Sequence, residues 1–277
     1  MNRRIIPRLD IKGPNLVKGI HLEGLRVLGD PQSFAKYYYE RGADELVYMD
    51  VVASLYNRNS LHDIISRTAR DIFIPLAVGG GLRSIEDMRA VLRSGADKIV
   101  INTAAIKNPD IIRQAANSFG SSTVVVSIEA KKISDDNYEA YIDNGREKTG
   151  IDVFSWAHRV VELGAGEIMI TSIDREGTGR GFDLALVEKV SKLASIPVIA
   201  CGGAGTKEDV RQALLGAQAD AVCIASMFHY HFLKSNKTGI EKDDDSPFIR
   251  DGFSRVQDIS IGELKDYLLL SEVECRV

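Results

Sequence analysis

Cysteine is scarce in this chain of 277 residues. Cys201, Cys223 and Cys275 have neither a metal-ligand spacing nor the even, dense pattern of a disulfide framework. Histidine is equally thin, and His229-x-His231 would need further ligands to hold a metal. No metal and no cofactor are therefore expected. No apolar run reaches 18 residues, so no membrane span is expected. The opening MNRRIIPRLDIK lacks the apolar core and small-residue cleavage site of a signal peptide, which makes the cytoplasm the expected compartment. A net charge of −4 gives nucleic acid no electrostatic reason to bind. No Ser–His–Asp or Cys–His grouping stands out, and Cys201 reads as a small buried residue rather than a nucleophile.

What the chain does have is repetition. IPLAVGGGLRSIEDMRAVLRSGADKIVINTAAI, from Ile74, returns as IPVIACGGAGTKEDVRQALLGAQADAVCIASMF, from Ile196. Pro75 recurs as Pro197 and Asp97 as Asp220, the second spacing being one residue longer. GADELVYMD from Gly42 likewise returns as GAGEIMITS from Gly164. Each long copy places paired glycines after an apolar run and then opens a helix, which turns backbone N–H groups toward an anion. Two such copies imply a ligand with two phosphates.

Short, continuously apolar runs alternate with helical patterns. The expected strands are Ile5–Leu9, Leu46–Met49, Ile74–Val78, Ile99–Ile101, Val124–Ile128, Ile168–Thr171, Ile196–Ala200 and Val222–Ala225. Such runs suit strands buried on both faces. Asp30-Pro31, Ser84, Asn108-Pro109, Asp152, Asp183 and Thr206 are expected helix starts. Eight strand–helix units in two similar halves favour an α/β fold, a (βα)8 TIM barrel built from two duplicated half-barrels, over an open sheet. One barrel is expected to span residues 1–277. Two segments break the rhythm. Lys131–Gly150 contains an alternating YEAYIDNG and is expected to form a β-hairpin after strand five. A polar stretch at about 233–258 is expected as an insertion after strand eight.

Chemistry in such a barrel sits at the strand C-termini. Asp10 and Glu129 occupy equivalent places on strands one and five, which face each other across the mouth, and suit paired acid–base work. The competing reading is that they ion-pair with Lys12, Lys18, Lys131 or Lys132. Asp50, Thr171, Asp174 and Glu176 complete the substrate end. Gly80 and Gly81 with Asn102 and Thr103 are expected to form one phosphate site. Gly202 and Gly203 with Ala225 and Ser226, helped by Gly177, form the other. At the opposite rim, Arg4, Glu45, Lys98 and Glu167 stand at strand starts and are expected to form a ring of salt bridges, with Asp97 exposed beside them.

RIIPRLDIK, LVKG, GADELVYMD, VGGGLRSIED, GADKIVINTAA, TSIDREGTGRG, IPVIACGGAG and ASMFH together resemble the cyclase subunit of imidazole glycerol phosphate synthase, from histidine biosynthesis. The resemblance covers nearly the whole chain outside the polar stretch. It implies a lyase in a heterodimer with a glutaminase subunit. Ammonia made by that partner passes from the strand-start face through the barrel to a bisphosphorylated substrate, PRFAR, which becomes imidazole glycerol phosphate and AICAR. By resemblance the first catalytic aspartate falls on Asp10. The phosphate positions fall on Gly81, Asn102, Thr103, Gly177, Gly203, Ala225 and Ser226. The ammonia gate falls on Arg4, Glu45, Lys98 and Glu167, and the docking aspartate on Asp97. Lys18 also matches.

The departures gather at the substrate mouth. Glu129 stands where the family has a second aspartate, Arg8 where it has cysteine, Glu176 where it has aspartate and Val52 where it has threonine. The turn Lys12-Gly13-Pro14-Asn15 replaces a more charged one. A cation at Arg8 would stabilise an ionised neighbour at Asp10. Two further readings follow: a paralogue that delivers ammonia for amidino-sugar formation in surface polysaccharide, and a non-catalytic ammonia conduit.

Overall fold

The computed structural model describes residues 2–53, 61–235 and 255–276. The apolar runs become strands because each is buried on both faces, inward against the other strands and outward against helices. β1 (Arg4–Lys12), β4 (Leu46–Asp50), β5 (Leu76–Gly79), β6 (Lys98–Ile101), β7 (Val124–Ser134), β10 (Glu167–Ser172), β11 (Val198–Cys201) and β12 (Ala221–Ile224) pair in parallel, in that order. Pairing of β12 with β1, from Arg4 opposite Ala221 to Pro7 opposite Ile224, closes the ring. The result is the eight-stranded barrel that the repeat implies. β1 and β7 lie on opposite sides of it, with three strands between them in either direction.

The core has two shells. Ile6, Val47, Val100, Val125, Met169 and Ile199 fill the inside of the barrel. A larger cluster, including Leu9, Tyr48, Val126 and Ile170, lies between the barrel and its helices. These are α1 (Pro31–Glu40), α2 (His62–Asp71), α3 (Ile85–Arg93), α4 (Thr103–Lys107), α5 (Asp110–Phe119), α6 (Val153–Glu162), α7 (Leu184–Leu193), α8 (Lys207–Arg211), α9 (Ser226–Ser235) and α10 (Ile261–Leu270). The expected starts hold. Ser84 and Thr206 each form a reciprocal capping box with the aspartate three residues on, Asp87 and Asp209. Asp30, Asp152 and Asp183 accept from the third following backbone N–H.

The extra residue of the second repeat has a structural home. After α8 the chain makes a π-helical turn at Gln212–Gly216, closed by Ala217 N–H donating to Gln212 O at 2.9 Å. A single inserted residue in a helix is accommodated by such a turn. The half-barrels then fall back into register at Asp97 and Asp220. Asp97 accepts from Leu76 N–H, Asp220 from Val198 N–H, each at 2.9 Å.

Two strands are longer than their apolar runs. β1 continues through Asp10 to Lys12, and β7 through Glu129 to Ser134, because each gains antiparallel partners beyond the barrel rim. The hairpin expected after strand five is β8 (Asn137–Ile142) with β9 (Glu147–Asp152). Its turn spans four residues, and Asp143, Asn144 and Gly145 are all left-handed. A matching hairpin, β2 (Asn15–Ile20) with β3 (Glu23–Gly29), grows from β1 and was not foreseen. Its strands carry little alternation, and β3 is largely exposed. Of the polar stretch at about 233–258, residues 236–254 lie outside the described residues. Its first residues extend α9, and Lys234 pairs with Asp258 at 2.8 Å.

At the barrel's lower end, Asp44 accepts from Ile5 N–H at 2.7 Å and pairs with Lys265 of α10 at 2.7 Å, both charges buried. Removing one partner of a buried pair strands the other. Asp44→Ala is therefore expected to lower the unfolding free energy by about 3–5 kcal/mol in urea denaturation. A loss below about 1 kcal/mol would show that the pair does not hold the last helix to the barrel.

Candidate active site

All eight strands point the same way, so one rim collects their starts and the other their ends. At the start rim, Arg4 bridges Glu45 at 2.8 Å and Glu167 at 2.9 Å. Lys98 bridges the same two carboxylates at 2.8 and 3.1 Å. The expected ring thus closes as four alternating charges across the barrel axis. Burial raises the Glu45 carboxyl above its ordinary range, against the pull of Lys98 and Arg4. Asp97 is exposed next to this ring and, among the described residues, makes no ion pair, whereas its repeat mate Asp220 is paired with Arg3 at 3.0 Å.

At the other rim, Asp10 and Glu129 are both buried, 5% and 6% exposed. Among the described residues neither pairs with Lys12, Lys18, Lys131 or Lys132. Asp10 is held by Arg8, whose Nε donates to Oδ1 at 2.8 Å, and the same guanidinium reaches Cys201 Sγ at 3.5 Å. Burial pulls the Arg8 pKa down, and the Asp10 carboxylate more than restores it, so the cation persists inside the barrel. Two residues apart on one strand, Arg8 and Asp10 point to the same face, and that face is the interior. Glu129 accepts from Gly145 N–H at 2.8 Å. Burial pushes its carboxyl up to about 7, with Arg8 and the Gly145 amide opposing and Asp10 and Asp143 adding to the rise.

A cavity of about 380 Å³ opens beside Glu129, lined by Asp50, Gly80, Gly81, Asn102, Thr103 and Asp143 among others. Gly80 has φ +95°, and a Cβ there would lie 2.2 Å from Asp50 O, so only glycine lets this loop pass the end of β4. The second expected anion site is tighter. Gly177, Gly202, Gly203, Ala225 and Ser226 line a space of about 20 Å³ together with Arg8 and Lys18. At Gly203, φ is +108° and a Cβ would meet Gly181 O at 2.2 Å.

Some expected substrate residues are engaged with the protein itself. Lys18 Nζ pairs with Glu176 at 2.6 Å, and the other Glu176 oxygen accepts from Leu22 N–H at 3.0 Å. The longer glutamate therefore ties β2 and the β2–β3 turn to the loop after β10. Asp174 accepts from Lys132 N–H at 2.8 Å and supports the β7 extension. Thr171 is fully buried in β10. The departure at Arg8 bonds directly to Asp10, as the β1 alternation dictates. Lys107 and Asp143 also line the cavity, although nothing in their local sequence pattern places them there. Cys201 is buried, as expected, and stands in register with Cys223 on the next strand. The Cys223 thiol and the Arg8 guanidinium draw the Cys201 thiol down while Cys223 rises. His229 is buried against Tyr38 at 2.6 Å, and no cluster fit to hold a metal occurs among the described residues.

A family model described as "Histidine biosynthesis protein" matches residues 4–234. The chain belongs to the histidine biosynthesis protein family. Within it, the chain is 59% identical over 208 residues to imidazole glycerol phosphate synthase subunit HisF of Legionella pneumophila, covering 75% of this chain and 98% of that protein. It is 47% identical to the subunit of the same name from Alkaliphilus metalliredigens and 48% identical to that of Methanocaldococcus jannaschii, each covering 83% of this chain and 92% of the relative. Among the described residues no helix is long and apolar enough to cross a membrane.

The elevated Glu129 pKa has a consequence for stability. Protons bind Glu129 in the folded chain below about 7, but in the unfolded chain only below about 4.5. Its favourable contribution is complete below the unfolded value and is lost as pH rises through the folded one. Denaturation midpoints across that window should fall with rising pH more steeply for the native chain than for Glu129→Gln. Parallel curves would show that Glu129 titrates normally.

Proposed function

We propose that this chain is the cyclase subunit of imidazole glycerol phosphate synthase, a lyase that combines PRFAR with ammonia to give imidazole glycerol phosphate and AICAR. The observation that carries this reading is the alignment of three features on one axis. A closed charge ring occupies the floor, a packed apolar interior follows, and a pair of acids lies at the mouth beside two glycine-lined pockets. Identities of 47–59% to synthase subunits over most of the chain support it over the paralogue and conduit readings.

Neutral ammonia suits this interior. The side chains that fill it, among them Ile6, Val47, Val100 and Met169, offer an ion no solvation, whereas a small neutral molecule gives up little to move between them. The Arg4–Glu45–Lys98–Glu167 ring bars the entrance until at least one of its bridges opens. A glutaminase subunit docking on the start face around Asp97 supplies the ammonia, and the unpaired Asp97 offers that partner a charge contact.

At the mouth, the two anion sites hold the two phosphates and set the substrate across the barrel, between β1 and β7. Glu129, titrating near neutrality, is matched to proton transfer in either direction at physiological pH. Asp10, its carboxylate bonded to Arg8, supplies a fixed negative group opposite. The Arg8 cation keeps the mouth from carrying two uncompensated carboxylates when ammonia and substrate meet. This division of labour differs from two equivalent acids: Arg8 fixes the charge at Asp10, and burial lifts Glu129 toward neutrality.

The test is genetic and kinetic. The chain is expected to restore growth to a cyclase-deficient histidine auxotroph, and Glu129→Ala to fail. Growth failure of the native chain together with intact glutaminase binding would transfer the assignment to another amidation. Asp97→Lys is expected to keep turnover with ammonium salts while losing at least ~10-fold of glutamine-supported turnover. Equal losses with both nitrogen sources would remove Asp97 from the interface.

A further inference from the structure

The open anion site contains an anion of the protein's own. Asp143 sits at the tip of the β8–β9 hairpin and lines the same cavity as Gly80, Gly81, Asn102 and Thr103. Its backbone N–H donates to Thr103 Oγ1 at 3.1 Å, and that hydroxyl lies 3.4 Å from Asp143 Oδ1. The second carboxylate oxygen is 3.7 Å from the ammonium of Lys107. A two-oxygen anion therefore rests on a hydroxyl and a cation at the edge of the space where the first phosphate is read to bind. Lys107 also lines that cavity, and more than half of its side chain is exposed, so its ammonium can turn toward an arriving anion.

The tip is built to hold this pose. Three successive left-handed residues, Asp143, Asn144 and Gly145, bend it over the mouth. Asn144 Nδ2 donates to Leu22 O at 3.1 Å, tying it to the opposite hairpin turn. Asn102 Nδ2 donates to Tyr141 O at 3.2 Å. Two residues beyond Asp143, Gly145 N–H makes the hydrogen bond to Glu129. One turn thus touches both the anion site and the catalytic acid.

We propose that Lys107 is a phosphate-binding residue of the first anion site and that Asp143 is its resident competitor, displaced when the substrate's phosphate arrives. The proposal rests on the two-phosphate reading above. A phosphate dianion and the Asp143 carboxylate repel each other, and both seek Thr103 and Lys107, so they do not share the site. Displacing Asp143 moves the turn and withdraws the Gly145 amide from Glu129. The acid is then released from its backbone partner only in a barrel already loaded at its first site. The same arrangement selects for a doubly charged end group, because a neutral or weakly charged one cannot replace the carboxylate at Lys107.

The experiment uses the full chain with inorganic sulfate as the probe, followed by the backbone amide resonances of Gly81, Asn102 and Gly145. Asp143→Asn removes the charge and keeps a residue that tolerates φ 51°. It should bind sulfate about tenfold tighter, the gain expected when a competitor holds a site about nine-tenths of the time. Lys107→Met should bind it several-fold more weakly than the native chain. In the native chain saturating sulfate should shift the Gly145 amide along with those of Gly81 and Asn102. Equal affinity in the native chain and Asp143→Asn, with Gly81 and Asn102 still responding, overturns the competitor and leaves the anion site standing. Unchanged affinity in Lys107→Met removes Lys107 from the site. No response at Gly81 or Asn102 in any variant overturns the two-phosphate reading, and this proposal with it.

Discussion

Parallel closure of β12 on β1 is the contact on which everything else in this molecule depends. An open sheet would leave Arg4 at one edge and scatter the strand ends along a line. Closure brings Arg4, Glu45, Lys98 and Glu167 within salt-bridge reach of one another at one end. It sets Asp10 and Glu129 on opposite walls at the other. It also makes the interior an enclosed core rather than an open face, because eight strands leave a space that side chains fill in layers. Floor, interior and mouth are consequences of one hydrogen-bonded seam.

Three buried carboxylates at the mouth are each held by a partner from the protein itself. Arg8 answers Asp10, Lys18 answers Glu176, and a backbone amide answers one oxygen of Glu129. A buried pair gains little net stability over an apolar replacement, since each charge gives up its hydration. What such pairing does secure is placement: each of these carboxylates is held in one orientation by its partners. Glu129, held by a backbone amide, has its protonation displaced toward neutrality, and the cause is burial before any neighbour.

Duplication supplies symmetry that the fold then breaks. The glycine loops, capping boxes and strand-start aspartates recur in both halves. Yet the pocket at one glycine loop opens to about 380 Å³, and the one at the other closes to about 20 Å³ around Arg8 and Lys18. On the start face, Asp220 is covered by Arg3 while Asp97 is left open. The two rim hairpins are equivalent in position and different in job. β2–β3 carries Lys18 to Glu176, and β8–β9 carries Asp143 to the Gly80–Gly81 cavity and Gly145 to Glu129. A partner or substrate meeting this barrel would therefore find two different halves.

Much was legible in the chain because it is encoded locally or by recurrence. Apolar runs of strand length, Ser/Thr-x-x-Asp starts and the repeat from Ile74 to Ile196 determine the barrel. The position of a residue relative to its strand determines whether it belongs to floor or mouth. Long-range proximity is not encoded in that way. That Lys18 prefers Glu176 depends on how β2 folds back against the loop after β10. That Asp143 lands on Thr103 depends on a turn of three left-handed residues crossing from one strand's extension to another's end. The one-residue excess of the second repeat was visible as a spacing, but only the packed helix shows it absorbed as a π turn at Gln212–Gly216. Local propensity and periodicity thus settled the elements and their order. Closure, charge pairing and the reach of the two hairpins were decided in three dimensions, because each depends on distances between segments far apart in the chain.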